Sequence, residues 1–321
     1  MEQKTNTALL RIRKFAGLKA AIAIVVMFVL LSVASENFLT KTNLIALLSQ
    51  SVPYLIISLG VTLCILSGAP DLSVGGVMCT SGIITIGLQP YMPTFCAALI
   101  AIAAGALVGF LNGFLVVHQK TEPWVITLGM GMLLKGVNLL VTDGHSVYGT
   151  DTAFTEFAVA RLAGIPMIVL LAVVFVVAFH LLLTRTPFGR NIYAYGGNYE
   201  VAVYSGINAR REKWLTFIIS GMMAALGGIV YAARMNAASA VFGDNTALII
   251  NCSVVIGGTS FTGGVGGILQ SVMGILLINI IENGMNMLQI NSYMQYFVEG
   301  LLIALITGID LYTIKRKKEK V

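Results

Sequence analysis

The chain has 321 residues, of which 57% are hydrophobic and 11% are charged, with a mean hydropathy of +0.88 and a formal net charge of +6. A soluble domain carries roughly 25% charged residues, so this chain has too few charges to cover a water-exposed surface. Its apolar residues stand in long runs such as 99–117 and 165–183. These runs are close to the ~20 residues that a helix needs to cross a bilayer, and they do not alternate as barrel strands do. We predict an all-α polytopic membrane protein. We expect no nucleic-acid partner, because the basic residues flank the spans.

The apolar runs predict about ten transmembrane helices. In chain order they cover residues 20–35, 44–67, 73–89, 93–117, 124–142, 165–183, 215–235, 247–258, 265–286 and 294–312. The third and eighth are short for a full crossing, so we expect them to be tilted, broken or re-entrant. No small-x-small cleavage site follows the first run, which predicts a retained span. The domains are an N-terminal tail at 1–19, a transmembrane domain at 20–312 and a basic tail at 313–321.

The distribution of Lys and Arg predicts the orientation, because cytoplasmic segments are enriched in basic residues. With the N-terminus in the cytoplasm, 16 of the 20 basic residues lie on that side. They fall in the two tails, at Lys120 and in the long connection at 184–213. An even number of spans then places both termini in the cytoplasm. The connection at 143–164 lies outside; it is acidic and long enough to fold a short helix, facing either a partner or solvent alone.

Two glycine-rich breaks interrupt the apolar runs. The first, at 67–76, contains Pro70 and Asp71. Pro70 ends one helix, and Asp71 is placed to cap the next by accepting N–H groups of its first turn. Direct contact of Asp71 with a substrate is the alternative, because transporters expose backbone to a cavity at such breaks. The second break, at 257–267, has six glycines, which permit a tight turn and close helix approach.

Polar side chains form a stripe on the ninth predicted span. Asn279, Glu282, Asn283 and Asn286 recur at the spacing of one helix face, and Glu299 follows in the tenth span. Polar groups within a bilayer are costly unless they pair or line a water-filled path. The stripe therefore lines a pathway or a subunit interface. Alternatively, it forms hydrogen bonds between helices, or it lies near the outer end of the span and reaches water.

No catalytic or metal-binding pattern stands out in the sequence. The four cysteines stand singly within apolar runs, which is typical of small core residues. The three histidines have no carboxylate at metal or triad spacing. The phosphate-binding pattern G-x-x-x-x-G-K-[ST] is missing as well. We therefore expect neither an enzyme nor a cofactor bound by this chain.

The connection at 184–213 is amphipathic and too polar to span a membrane. Besides basic residues and glycine turns, it carries five large apolar side chains, Phe188, Ile192, Tyr193, Val201 and Tyr204. A simple connector does not require them. Apolar groups on a water-exposed segment predict the docking of a soluble partner.

The segment T-R-T-P-F-G-R-N-I-Y-A-Y-G-G-N at 184–198, followed by S-G-I-N at 205–208, resembles the cytoplasmic coupling segment of ribose-type sugar permeases of the ABC importer superfamily. Further landmarks follow the order of that family, at 67–75, 127–130, 254–264, 282–288 and 292–295. Each motif alone is weak, whereas the ordered series covers nearly the whole chain. The residues that match the ATPase-contacting loop are Phe188, Gly189, Arg190, Gly196, Gly197 and Asn198.

The resemblance implies a permease subunit in the bacterial cytoplasmic (inner) membrane, surrounded by membrane lipid. Its implied partners are a second permease subunit, identical or different, a cytosolic ABC ATPase that binds the ATP, and an extracytoplasmic binding protein that delivers a monosaccharide. Three alternatives remain open at this point. One is a secondary carrier with Glu282 or Asp71 as the ion-coupling acid. The others are an intramembrane enzyme and a branched-chain amino-acid ABC permease.

Overall fold

The structure is a computed structural model that describes residues 2–298, Gly300, Leu301, Ala304 and Gly308, with side chains from Leu18 onward. Glu299, most of the predicted tenth span at 294–312 and the basic tail at 313–321 lie outside the described residues. The helices with defined bounds are, in chain order, α1 (Glu2–Ala34), α2 (Lys41–Leu66), α3 (Val74–Gly87), α4 (Thr94–His118), α5 (Pro123–Thr142), α6 (Thr152–Val159), α7 (Met167–Arg185), α8 (Pro187–Gly197), α9 (Tyr199–Tyr204), α10 (Ala209–Met235), α11 (Thr246–Ile256) and α12 (Ile268–Met287).

Two pairs of very short strands accompany the helices in the described part of the chain. β1 (Val147–Tyr148) pairs antiparallel with β4 (Ala237–Ala238), and β2 (Arg161–Leu162) pairs antiparallel with β3 (Ile165–Pro166). The first pair ties the connection between α5 and α7 to the end of α10. The protein is therefore an all-α membrane protein with two local strand pairs, which its sequence pattern did not predict.

Among the described residues, six helices are long and apolar enough to cross a membrane: α2, α4, α5, α7, α10 and α12. The apolar part of α1 at Leu18–Ala34, α3 and α11 are shorter. The first nine predicted spans thus coincide with apolar helices, and the total of about ten stays a prediction. α3 and α11 have 14 and 11 residues, or about 21 and 16 Å of helix. Both are short, as predicted, and each adjoins a glycine-rich break.

Two helices extend beyond the predicted spans. α1 begins at Glu2, within the predicted tail at 1–19, and α10 begins at Ala209, before the predicted span at 215–235. Charged residues at these ends are costly in the hydrocarbon core, but Lys, Arg and Glu are good helix formers. In α10 the first turn is also capped, because the Asn208 side chain accepts the Arg211 N–H at 3.1 Å.

α10 lies at the centre of the molecule and packs against α4, α2 and α3. Along α4, every fourth residue is small and buried: Ala97, Ala101, Gly105, Gly109 and Gly113. A Cβ on Gly109 would collide with the Phe217 carbonyl oxygen, and one on Gly105 with the Gly221 carbonyl oxygen. Small residues at this spacing let helix backbones approach closely in a bilayer, where association depends on packing.

Burial separates an inner group of helices from an outer group. We compare the buried share of the most apolar 18 residues in each helix. This share is 61% in α2, 67% in α10 and 56% in α12, but only 22% in α4 and 17% in both α5 and α7. The outer helices keep large apolar side chains exposed, among them Leu140 and Val174. An apolar exterior of this kind suits a lipid environment. Most of the polar groups described below belong to the inner helices and the segments that join them.

Candidate functional site

The connection at 184–213 contains two short helices instead of an open loop. Thr186 begins α8, because its hydroxyl accepts the Gly189 N–H at 3.3 Å, and Pro187 occupies the first turn, where no N–H is required. Asn198 separates α8 from α9, and its side chain accepts the Val201 N–H at 3.1 Å. Local capping therefore specifies the order helix, turn, helix in this segment.

The apolar side chains of α8 face the protein itself. Ile192 and Tyr195 are buried, and Phe188 is half-buried against the same apolar cluster. Burial raises the pKa of Tyr195. Tyr193 is half-buried and its hydroxyl donates to the Gly266 carbonyl. Ile192 is therefore used for packing within the chain, whereas Phe188 and Tyr193 keep part of their surface accessible, and their contact with a partner stays a prediction.

The exposed apolar surface of the segment lies on α9. We call it the α9 patch, and it consists of Tyr199, Val201, Val203 and Tyr204. Tyr204 is 90% exposed and Val201 is 59% exposed. Two of the five apolar residues singled out in the sequence, Val201 and Tyr204, thus stand where a partner can reach them.

The residues that match the ATPase-contacting loop have different surroundings. Arg190, Gly197 and Asn198 are exposed, and the space beside the Gly197 Cα is open. In contrast, a Cβ on Gly189 would collide with the Leu183 carbonyl oxygen, and one on Gly196 with the Leu66 carbonyl oxygen. Gly189 and Gly196 are therefore required for packing within the chain.

Three distant segments meet at the C-terminal end of α8, in a contact that we call the joint: residues 66–68, 193–197 and 263–267. The Gly264 N–H donates to the Leu66 carbonyl at 2.9 Å, and the Tyr193 hydroxyl donates to the Gly266 carbonyl at 2.8 Å. Gly264 has a φ of 70°, a conformation that favours glycine. The joint thus brings the two glycine-rich breaks into contact with each other and with the predicted coupling segment.

Asp71 lies in the irregular segment between α2 and α3 and is completely buried. Its Oδ1 accepts the Ser73 N–H at 2.9 Å and the Ser73 hydroxyl at 2.6 Å, while its Oδ2 accepts the Ser220 hydroxyl at 2.8 Å. The predicted cap differs in detail, because the N–H that Asp71 accepts belongs to Ser73, which precedes the first residue of α3. The carboxylate connects this break to α10, and burial closes it to a substrate in this conformation.

Three further side chains complete the hydrogen bonds around Asp71, and sequence reasoning assigned no role to them. Asn112 of α4 donates to the Ser73 hydroxyl at 2.9 Å, and Asn251 of α11 donates to the Asp71 carbonyl at 2.9 Å. Thr127 of α5 accepts the Leu72 N–H at 3.0 Å. The available signal was the presence of lone amides within otherwise apolar helices, which membrane proteins retain only where they find partners.

The polar stripe divides between two environments. Asn283 and Asn43 of α2 are buried and exchange two amide hydrogen bonds, of 3.0 and 2.9 Å. Asn286 is exposed and accepts a hydrogen bond from Gln295 at 2.9 Å. For Asn283 and Asn286, the structure agrees with the alternative in which the stripe forms side-chain hydrogen bonds. Glu299 lies outside the described residues.

Asn279 and Glu282, the other two residues of the stripe, face a cavity. Both line a cavity of about 150 Å³ between α2, α11, α12 and the helical residues 292–298. A larger, more open cavity of about 440 Å³ lies between α3, α5 and residues 240–248. Lys135 and Asp244, which form an ion pair of 2.8 Å, are among the residues that line this larger cavity. The smaller of these two cavities therefore contains half of the predicted stripe.

Comparison with known proteins decides the family. The family described as "Branched-chain amino acid transport system / permease component" matches residues 43–307. The chain belongs to this permease family. The D-allose transport system permease protein AlsC of Escherichia coli (strain K12) is 39% identical over 281 residues, which make up 87% of this chain and 86% of that protein. The ribose import permease protein RbsC of the same strain is 34% identical, over 91% of this chain and 92% of the relative.

The L-arabinose transport system permease protein AraH of Escherichia coli (strain K12) is 33% identical to the permease, over 91% of this chain and 90% of the relative. No solved structure matches. The resemblance to ribose-type permeases of ABC importers is thereby confirmed. The permease is a transport subunit of a membrane importer, and ATP hydrolysis belongs to a separate partner.

On the outer side predicted for the permease, the connection at 143–164 contains the expected short helix, α6. Asp151 begins this helix by accepting the Ala153 N–H at 3.0 Å, and it also accepts the Thr94 hydroxyl. These hydrogen bonds, that of Thr94 foremost, lower the pKa of Asp151. The Gln89 side chain accepts the Asp151 N–H at 3.2 Å. The connection is thus fastened to the turn between α3 and α4, and its contact with a partner stays a prediction.

Proposed function

We propose that this permease imports a monosaccharide that an extracytoplasmic binding protein delivers, and that a cytosolic ABC ATPase drives the import. Two permease subunits, identical or different, form the path across the inner membrane. The observation that carries the substrate class is the set of relatives named for D-allose, ribose and L-arabinose, each of which the chain covers almost from end to end. Their names favour a sugar over the branched-chain amino acids of the family's description.

Uptake into reconstituted vesicles tests this function. Vesicles that contain the permease, the ATPase of its system and internal ATP are given the binding protein with radiolabelled D-allose, D-ribose or L-arabinose. We expect uptake that requires ATP and binding protein and that persists when ion gradients are collapsed. Uptake that depends on an ion gradient without ATP would favour the secondary carrier, and ATP-driven uptake of leucine alone would favour an amino-acid importer.

The segment at 184–213 supports a docking role in this proposal. α9 is a short helix with an exposed apolar patch, and it follows α8, which the joint connects to the ends of α2 and α12. A partner bound to α9 would thereby pull on segments that lie beside the buried carboxylate of Asp71. We propose that the ATPase docks at the α9 patch together with Arg190, Gly197 and Asn198, and that the joint transmits its movement to the helices.

The α9 patch gives the first mutational prediction. Tyr204→Ser should weaken binding of the ATPase about tenfold, because a well-packed aromatic residue in an interface often contributes more than 1 kcal/mol. Stability should change little, since Tyr204 is 90% exposed. The measurement is co-purification of the ATPase with the variant permease, followed by titration of the purified subunits.

Tyr91→Ser is the matched control, because Tyr91 is 81% exposed in the turn between α3 and α4. On the proposed orientation this turn faces the opposite side of the membrane. The control should bind the ATPase as the unmodified permease does. Docking at α9 would be contradicted if both variants lost ATPase binding equally, or if neither variant lost it.

Orientation gives a second prediction. Because 16 of the 20 basic residues then lie inside, residues 184–213 and both termini are expected in the cytoplasm. A single cysteine at the exposed position of Glu200, in a chain without the four native cysteines, should resist an impermeant maleimide in intact cells and react after permeabilisation. A cysteine at the exposed position of Glu156 should show the opposite pattern. Ready labelling of position 200 from outside would overturn the topology.

A further inference from the structure

Asn279 lines the smaller cavity, and one of its polar atoms has no hydrogen-bond partner among the residues that the structure describes. Asn279 is 5% exposed, and its Nδ2 donates to the Ile275 carbonyl at 2.9 Å. That bond requires the NH₂ group and so fixes the orientation of the amide. Its Oδ1 is buried and accepts no hydrogen bond from the residues that the structure describes. A buried acceptor without a partner is costly, which points to a hydroxyl or amine group that a ligand brings to this position.

The rest of the lining determines which kind of ligand fits. Tyr54, Phe242 and Tyr296 contribute aromatic rings, and Glu282 contributes a carboxyl group. A sugar has apolar C–H faces that pack against aromatic rings and a rim of hydroxyls that donate to amide and carboxylate oxygens. Within the described residues no group of three metal-ligating side chains occurs, so this lining does not suggest a metal ion. The cavity of about 150 Å³ is also smaller than a typical drug-sized pocket.

Residues 242–245 separate this cavity from the larger one. Asp244 and Asn245 line both cavities, and Asn245 has a φ of 61°, in the left-handed region. Asp244 is also the partner of Lys135. The smaller cavity therefore lies directly behind a thin, non-helical partition that faces the more open cavity.

We propose that the cavity at Asn279 is a sugar-binding site inside the permease, in which Asn279 Oδ1 accepts a hydrogen bond from a sugar hydroxyl. The proposal rests on the proposed function, because it assigns to this cavity the monosaccharide that the importer carries. Asn279 and Glu282 then contact the sugar, whereas Asn283 and Asn286 hold neighbouring segments together.

The test compares Asn279→Leu with Asn138→Leu in vesicles. Asn138 is a matched control because it is also a buried asparagine with one amide atom that lacks a partner, but it lines neither cavity. With saturating binding protein and radiolabelled D-allose, D-ribose and L-arabinose, Asn279→Leu should reduce uptake of the transported sugar about three- to tenfold, the worth of one neutral hydrogen bond. Asn138→Leu should keep both uptake and basal ATPase activity near those of the unmodified permease.

Two additional variants make the result decisive. Asn279→Asp keeps an acceptor oxygen at the same place and should retain more uptake than Asn279→Leu. Asn279→Ala removes the amide without adding volume and replaces the leucine variant if that one does not assemble. Assembled Asn279 variants that transport as well as the control, or failure of every Asn279 variant to assemble, would overturn the site. An unmodified permease without ATP-driven sugar uptake would instead overturn the proposed function itself.

Discussion

Replacing Gly196 with valine is expected to prevent the permease from reaching a stable fold that can bind the ATPase. A Cβ at this position would collide with the Leu66 carbonyl oxygen, and the Gly264 nitrogen lies close beside it. These two backbone groups are joined by their own hydrogen bond, so neither moves aside cheaply. Overpacking a close-packed site typically costs ~1–3 kcal/mol and occasionally more. We expect a clear drop in the thermal midpoint of the detergent-purified permease, or the loss of its monodisperse fraction.

Gly197→Val is the matched control, because the same substitution one residue later meets open space. Its stability should stay within about 0.5 kcal/mol of that of the unmodified permease, as is usual for surface changes. Any effect of Gly197→Val should appear in binding of the ATPase, since Gly197 is exposed beside the α9 patch. Two variants with the same thermal midpoint would show that the joint does not constrain α8.

Removing the carboxylate of Asp71 is expected to have a second large effect. Asp71→Leu leaves the Ser73 N–H, the Ser73 hydroxyl and the Ser220 hydroxyl without their acceptor. All of these groups are buried, and an unsatisfied buried polar group costs about 1–3 kcal/mol. The serine hydroxyls can turn to other acceptors, so we expect a total loss of about 3 kcal/mol. Unfolding of the purified permease, followed by heat or denaturant, measures this loss.

Asp71→Asn separates this structural role from ion coupling. Asparagine has the same shape and keeps one acceptor oxygen, so most of the stability should return and ATP-driven uptake should continue. If Asp71 carried a proton or an ion, as in the secondary-carrier alternative, Asp71→Asn would abolish uptake while the protein remained folded. Asp71→Leu as stable as the unmodified permease would contradict the structural role.

Sequence patterns were sufficient for the membrane class and for the positions of most helices. Long apolar runs leave little choice of structure in a bilayer, because each backbone N–H and C=O must be bonded within the segment. The apolar runs did not show how far the helices extend. Hydropathy indicates which residues lie in lipid, whereas α1 and α10 begin earlier, at Glu2 and Ala209, in polar sequence.

The contacts that form the site were harder to predict. The joint depends on carbonyl groups such as that of Leu66, and backbone atoms leave no trace in the pattern of residue types. Its glycines were visible, but sequence alone could not tell Gly196, which has no free space, from Gly197, which has. The small-residue spacing of Gly105, Gly109 and Gly113 was a usable signal. It would have predicted the close contact between α4 and α10.

The polar stripe shows a second limit. Helical spacing correctly placed Asn279, Glu282, Asn283 and Asn286 on one helix, but it does not say what each side chain meets. Asn283 and Asn286 find amide partners, while Asn279 faces a cavity. Partners from α2 and from residues 292–298 decide between these outcomes. Tertiary packing determines those partners, and the periodicity of the sequence carries no information about it.

The joint also constrains the order in which the protein can be made. Its first part, at residues 66–68, is synthesised with α2, and its last part, at residues 263–267, directly precedes α12. α8 leaves the ribosome between them and has no Gly264 or Gly266 to pack against until most of the chain has been translated. A nascent or truncated permease therefore has α8 without these contacts. If the ATPase docks as proposed, it would meet a correctly packed α8 only on chains that have passed this point.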